Sequence, residues 1–266
     1  MKPILKQTIY LLLSFLVVSC GPSQREMAVQ QINKAKQSIV SGDTLVAIAQ
    51  LDSVKIFFPK ANVQLVVAKN MTAELYRQLI DRSKDKLNKN DSLIASLELK
   101  FIKQKTEFDQ YTQYIPKRQS LDRSWDRSFL QVNLDERGEL YLTSNYMGKD
   151  WLEHTAIRIY DGKLQAKSGT VELDDPMNYR SQFLDYKWEK VAYLNGKSDS
   201  VIHFIVEHPN LDLKCVFLGT RYYYILLEEY DIQAVTEALA LSNAIKRRKI
   251  IAEEIKNFQQ KISLLQ

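Results

Sequence analysis

Three histidines, one cysteine deep in the chain and a scatter of carboxylates are the side chains of this 266-residue sequence best suited to chemistry. His203, Glu207 and His208 invite a metal reading, but they follow neither the HExxH nor the HxxEH spacing. On the strand expected over 201–207, His203 and His208 point to opposite faces because their separation is odd. A site would need distant carboxylates such as Asp174 or Asp175, so no metal site is expected. Cys215 alternates with Leu213 and Phe217, which places it on the apolar face of a strand as a core residue and not a nucleophile. Asp135, Glu136, Glu172, Asp174, Asp175, Glu228 and Glu229 show no spacing that sets two carboxylates across a cleft. Asp174-Asp175-Pro176 reads as a loop, and Glu228-Glu229 with Asp231 reads as the acidic start of a helix. No serine-nucleophile turn, phosphate-binding loop or dinucleotide fingerprint occurs. No catalytic residue and no dissociable cofactor is therefore expected.

Aromatic side chains are the stronger functional signal. Trp125, Tyr146, Trp151, Tyr160, Trp188, Tyr222 and Tyr224 crowd one stretch of about a hundred residues, with Tyr141, Tyr179, Tyr186, Tyr193 and Tyr223 among them. Flat rings at a rim bind sugar rings or peptide side chains, while neighbouring amides and acids fix orientation. These seven are the candidate ligand-binding residues, on condition that they gather on one exposed patch. In Tyr222-Tyr223-Tyr224 the outer two share a face and the middle one is the candidate for the core.

The elements that must position them read as an α+β chain. Residues 26–59 form a helical hairpin about Gly42-Asp43, where glycine relieves the backbone and aspartate caps the next helix. A long amphipathic helix is expected over 60–116, because Ile80, Leu87, Ile94, Phe101, Phe108 and Ile115 recur every seven residues. Asn88-Lys89-Asn90-Asp91 is a candidate break, and Pro116 ends the element. Residues 124–230 switch to strands: Leu130, Val132 and Leu134 alternate with polar residues, and Asp161-Gly162 and Asn195-Gly196 mark two-residue hairpins. An antiparallel sheet domain follows, either a sandwich or a half-open barrel. Residues 231–266 form a last amphipathic helix along Ile251, Ile255, Phe258, Ile262 and Leu265. It packs either antiparallel on the earlier long helix, forming a helical stalk, or onto the sheet.

Two resemblances add to this. Ala35, Ala47, Leu51, Val54 and Pro59 fall at the small, apolar and proline positions of one tetratricopeptide repeat, although Gln31 and Lys34 occupy places where that repeat has large apolar residues. A generic helical hairpin fits equally well. At the start of the chain, Lys2 and Lys6 precede the short apolar run Ile9 to Val18, and Ser19-Cys20 follows. That order resembles the type II signal peptide of bacterial lipoproteins. The resemblance implies a signal peptide over 1–19, diacylglycerol on the Cys20 sulfur, an N-acyl group such as palmitate on the new terminus, and a short tether over 20–25.

Beyond the lipobox, the layout is similar in composition to uncharacterised envelope lipoproteins of Bacteroidota. The absence of an acidic residue in Gly21 to Arg25 favours, by that resemblance, the periplasmic face of an outer membrane. The formal net charge of +5 falls to +3 once Lys2 and Lys6 leave, which gives no footprint for nucleic acid. The basic run Lys246 to Lys249 reads as a solvated helix face. The expected partners are the membrane through the lipid anchor, an envelope protein, and a glycan or peptide. The expected role is a non-catalytic scaffold or adaptor, with a glycan- or peptide-binding module as the alternative.

Overall fold

The computed structural model describes residues 23–107, 109–119 and 127–265. The expected signal peptide, Cys20 and Trp125 lie outside the described residues. The chain is an α+β protein, as its periodicities imply, and it divides into two units: residues 1–83 with 254–266, and residues 84–253.

The first unit is helical. α1 (Gln24–Val40) begins in a capping box, with Ser23 Oγ accepting from the Glu26 amide and the Glu26 carboxylate accepting from the Ser23 amide. Ala28, Ile32 and Ala35 recur at four and three residues and are buried. Gly42 turns the chain with φ +87°, and α2 (Thr44–Phe57) follows. Asp43 stands at its N-cap position but makes no side-chain bond to the helix; its carboxylate accepts from Ser41 Oγ instead. Ala47, Ile48, Leu51 and Val54 of α2 meet the buried stripe of α1. Ala68, Leu75 and Tyr76 complete this core from α3 (Asn62–Glu98), and Phe258, Ile262 and Leu265 pack against it. Those last residues lie at the end of α5 (Glu229–Ser263) and just past it. The Tyr76 and Phe258 rings meet at 5.8 Å, tilted by 36°, and Ser83 bonds Glu254, so the chain segments run antiparallel here.

α3 corrects two expectations. It passes through Asn88 to Asp91 without a break, and it stops at Glu98 instead of 116. Residues beyond it form a hairpin, β1 (Phe101–Gln104) with β2 (Gln113–Pro116). The seven-residue row continued by coincidence, since Phe101, Thr106, Tyr111, Thr112 and Ile115 are the aromatic and β-branched types that strands favour.

The second unit holds two four-stranded antiparallel sheets around one core. One sheet has the order β3-β4-β8-β7, from β3 (Phe129–Leu134), β4 (Leu140–Gly148), β7 (Asn178–Phe183) and β8 (Tyr186–Ala192). The other has the order β10-β9-β5-β6, from β5 (Ala156–Tyr160), β6 (Gln165–Lys167), β9 (Lys214–Leu218) and β10 (Tyr222–Leu226). Leu130, Val132, Leu142 and Val191 of the first sheet share a buried cluster with Ile157, Ile159, Cys215 and Phe217 of the second. Ile232 to Ile245 of α5 enter the same cluster, so both expected packings of the last helix occur along its length. In this unit it also meets α3, where Asn90 Nδ2 donates to the Ala244 carbonyl at 2.9 Å.

Residues 201–207 are not a strand. They belong to α4 (Asp199–Glu207), because Val201, Ile202, Phe204 and Ile205 are all buried and only a helix puts such pairs on one side. Asn195 (φ +55°) and Gly196 (φ +78°) make the expected turn, but it leads into this helix. Among the described residues no helix is long and apolar enough to cross a membrane.

Candidate functional site

The second sheet ends in an edge that no strand pairs among the described residues. Among the described residues, β10 pairs with β9 alone, in the register Tyr222↔Leu218, Tyr224↔Val216 and Leu226↔Lys214. Side chains alternate along the strand. Tyr223 turns to the other side, with its ring 5.2 Å from Tyr146 and 6.1 Å from Phe217, but at 37% exposure it is not the core residue expected; Ile225 packs on the core. Tyr222, Tyr224 and Leu226 turn outward and are 74%, 65% and 60% exposed. Edges are usually blunted by Lys, Pro, a bulge or brevity. The opposite edge, β6, has three residues and carries Lys167, whereas the five residues of β10 include no charge and no proline.

The same outward face carries Arg158 opposite Val216 and Tyr160 opposite Lys214. Tyr160 therefore shares the face with this row, two strands across from Leu226 at about 10 Å, with Tyr224 and Tyr222 further along β10, and the Arg158 guanidinium lies 5.5 Å from its ring. At the Leu226 end of β10 sits a cleft of about 330 Å³, lined by Arg127, Phe129, Ile225, Glu228, Tyr230 and Asp231 among others. Arg127 Nη2 donates to the Tyr230 hydroxyl at 2.6 Å, and its Nη1 lies 3.6 Å from Glu228 Oε1. Burial raises the Asp231 carboxyl above the usual carboxylate range, although Gln119 and the Glu228 amide donate to it.

The other candidate aromatics do not join this face, which corrects the expectation of one patch. Tyr146 is buried on the inner side of β4 and donates its hydroxyl to the Asp150 carbonyl at 2.9 Å. Trp151 is half-buried under the Lys187 ammonium, 5.2 Å from its ring. Trp188 is half-buried on β8, opposite Met147 and Ser181 in the other sheet. The histidine expectation changes as well. His203 is exposed on α4, while His208 caps that helix and bonds the Phe204 carbonyl through Nδ1 at 2.8 Å. Cys215 is fully buried on the inner face, and burial pushes its thiol pKa up.

One cluster escaped the sequence reading. Ser144 on β4, His154 in the β4–β5 loop and Glu189 on β8 line up inside the second unit. Ser144 Oγ lies 2.8 Å from His154 Nε2, and His154 Nδ1 lies 2.6 Å from Glu189 Oε2. The Tyr193 hydroxyl is 2.9 Å from Ser144 Oγ. Glu189 also accepts the backbone amides of Leu152, Glu153 and His154 at 2.6, 2.9 and 3.1 Å. Burial alone would raise the Glu189 carboxyl, but bonds from the His154 ring and from the Glu153 and His154 amides outweigh it and hold the group below its ordinary value. With a neutral imidazole one arrangement satisfies every partner. Tyr193 donates to Ser144, Ser144 donates to Nε2, and Nδ1 donates to Glu189.

Serine, histidine and carboxylate in this order is the geometry of a nucleophile with its base. Here Ser144 and His154 are 0% exposed and Glu189 is 1%, with the imidazole stacked on Phe217 at 5.1 Å. Ser144 Oγ is enclosed in this arrangement. The cluster instead fastens the loop 149–155, where Glu153 adopts φ +54° and Gly219 passes so close that a Cβ would lie 2.1 Å from the Leu152 carbonyl oxygen. No protein family, no curated protein and no solved structure matches the chain.

Proposed function

We propose that this chain is a lipid-anchored, non-catalytic protein of the cell envelope, probing no substrate but holding a partner protein as a scaffold or adaptor. The observation that carries the reading is the row Tyr222, Tyr224 and Leu226, exposed along a strand edge with no pairing partner among the described residues. Such an edge offers backbone donors and acceptors for strand addition, and the alternate side chains give the added segment something to grip. Enclosure of Ser144 supports the non-catalytic part, and the Lys2-to-Cys20 pattern supports the anchor. Crosslinking in intact cells, with mass spectrometry of captured species, tests the reading. A specific protein captured by the native chain, and lost both from a Cys20→Ala strain and from a Tyr222→Ser/Tyr224→Ser strain, is the expected result. Capture that survives the double tyrosine change removes β10 as the contact.

A second reading, a glycan-binding sheet, draws on Tyr160, Tyr222 and Tyr224 sharing one face with Arg158, which stands across from Tyr224 and beside Tyr160. Retention on a glycan array that is lost on Tyr222→Ala would favour it over the adaptor.

A further inference from the structure

We infer that the α2–α3 corner of the first unit is a membrane-contacting surface, which lies against the same lipid leaflet that holds the Cys20 anchor; this rests on the lipid-anchor reading above. α2 ends at Phe57, the chain turns through Phe58 to Ala61, and α3 begins at Asn62. Around this corner the apolar side chains face solvent: Ile56 is 71% exposed, Phe57 66%, Val63 64% and Val66 57%. Val63 and Val66 are three apart at the start of α3, so they share one side of its first turn. Four large apolar groups are thus exposed within eleven residues.

The occupant follows from where the anchored end must be. The Lys60 amide donates to Gln24 Oε1 at 3.2 Å, which fixes the corner beside the first residue of α1. Cys20 precedes Gln24 by four residues. Four residues span at most about 14 Å, so acyl chains on Cys20 enter the bilayer within that reach of the corner. Arg25, Lys55 and Lys60 are exposed around it, with Glu26 and Asp52 as the nearby acidic groups. Exposed apolar residues ringed by Lys and Arg stems are the composition of an interfacial contact, where rings and aliphatic groups enter the headgroup boundary and the cations stay at its surface. The other end of the hairpin also exposes apolar groups, Val40, Leu45 and Val46, so the nearness of Cys20 and not exposure alone selects the α2–α3 corner. Val40 closes α1 at 89% exposure, sixteen residues from Gln24 and about 24 Å further along the helix axis.

The test uses the full processed protein, purified from membranes and reconstituted into phosphatidylethanolamine–phosphatidylglycerol vesicles. Phe57→Cys and, separately, Val40→Cys carry an environment-sensitive fluorophore; Cys20 is blocked by its lipid, and Cys215 is buried. The expected result is a blue-shifted probe at 57 that nitroxide-labelled lipids quench, and an unshifted, unquenched probe at 40. Val63→Cys should repeat the result at 57. A lipidated protein that floats with its vesicles and shows an unquenched probe at both 57 and 63 overturns the inference while leaving the anchor intact. Equal quenching at 57 and 40 overturns it too, since the corner would then have no preference for lipid. A protein whose mass lacks acyl groups removes the anchor, and this inference with it, and the mass spectrum distinguishes that failure from the others.

Discussion

Replacing Glu189 by alanine should unfold the second unit far more readily than replacing most other acidic residues, and the structure sets the size. The carboxylate is buried and accepts four hydrogen bonds, three from consecutive backbone amides and one from the His154 ring. Removing it leaves all four donors buried without that acceptor. A buried donor left without its acceptor costs about 1–3 kcal/mol, and with four of them orphaned together Glu189→Ala should cost about 4 kcal/mol or more. With a urea slope of about 2 kcal/mol per molar, the midpoint should fall by roughly 2 M. Glu189→Gln should cost about half as much, because its carbonyl oxygen can still serve the Leu152 and Glu153 amides while its NH2 group faces the His154 amide. Urea denaturation followed by circular dichroism measures both, and hydrogen exchange at residues 152–154 should accelerate in both variants. A Glu189→Ala midpoint within about 0.5 M of the native one would refute the claim that this network fastens the loop.

The same group fixes a pH dependence. Glu189 holds its charge more readily folded than unfolded, since its value lies below the ordinary 4.5. The unfolded chain therefore takes up the proton first as pH falls. The stabilisation is complete above about 4.5 and is lost as pH drops through the lower folded value. The stability gap between native protein and Glu189→Gln should be full at pH 7 and should narrow below pH 4.5.

Three further outcomes are expected. Gly219→Ala should destabilise by about 2 kcal/mol or more, because the added Cβ meets the Leu152 and Glu153 backbone and not a movable side-chain tip; thermal melts check it. Tyr222→Ser and Tyr224→Ser should each leave stability within about 0.5 kcal/mol, given how exposed both rings are, while reducing partner capture about tenfold or more, read by quantitative pull-down. Cys215 should resist maleimide at neutral pH in the folded protein and react once urea exposes it, since burial both shields the thiol and raises its pKa.

What the sequence made legible were features written in local spacing. The alternation at Leu130, Val132 and Leu134, the turns at Gly42, Gly162 and Asn195-Gly196, and the outward pair Tyr222 and Tyr224 all depend on neighbours a few residues away. Even the capping box was there to read, with Ser23 three residues before Glu26. Periodicity misled where two periods overlap. A seven-residue row runs on through Phe101 and Ile115 although their neighbours are strand formers, and 201–205 alternates poorly because it is a helix.

The buried cluster was illegible for a different reason. Ser144, His154 and Glu189 are 10 and 35 residues apart, and nothing local marks them. They meet because the β4–β8 register sets Tyr146 opposite Glu189 and Ser144 opposite Val191, which brings the serine and the glutamate onto one inner face. The loop then has to deliver His154 between them, which it does through the left-handed turn at Glu153. A polar cluster on the inner side of a sheet is tolerable only when every donor finds its acceptor. Each bond therefore constrains the next, from Tyr193 to Ser144 to His154 to Glu189 and on to the amides of the loop itself. The catalytic-looking order of residues follows from that chain of satisfaction. The three polar groups complete one another instead of turning toward solvent, and through the amides of 152–154 they tie the strand to the loop.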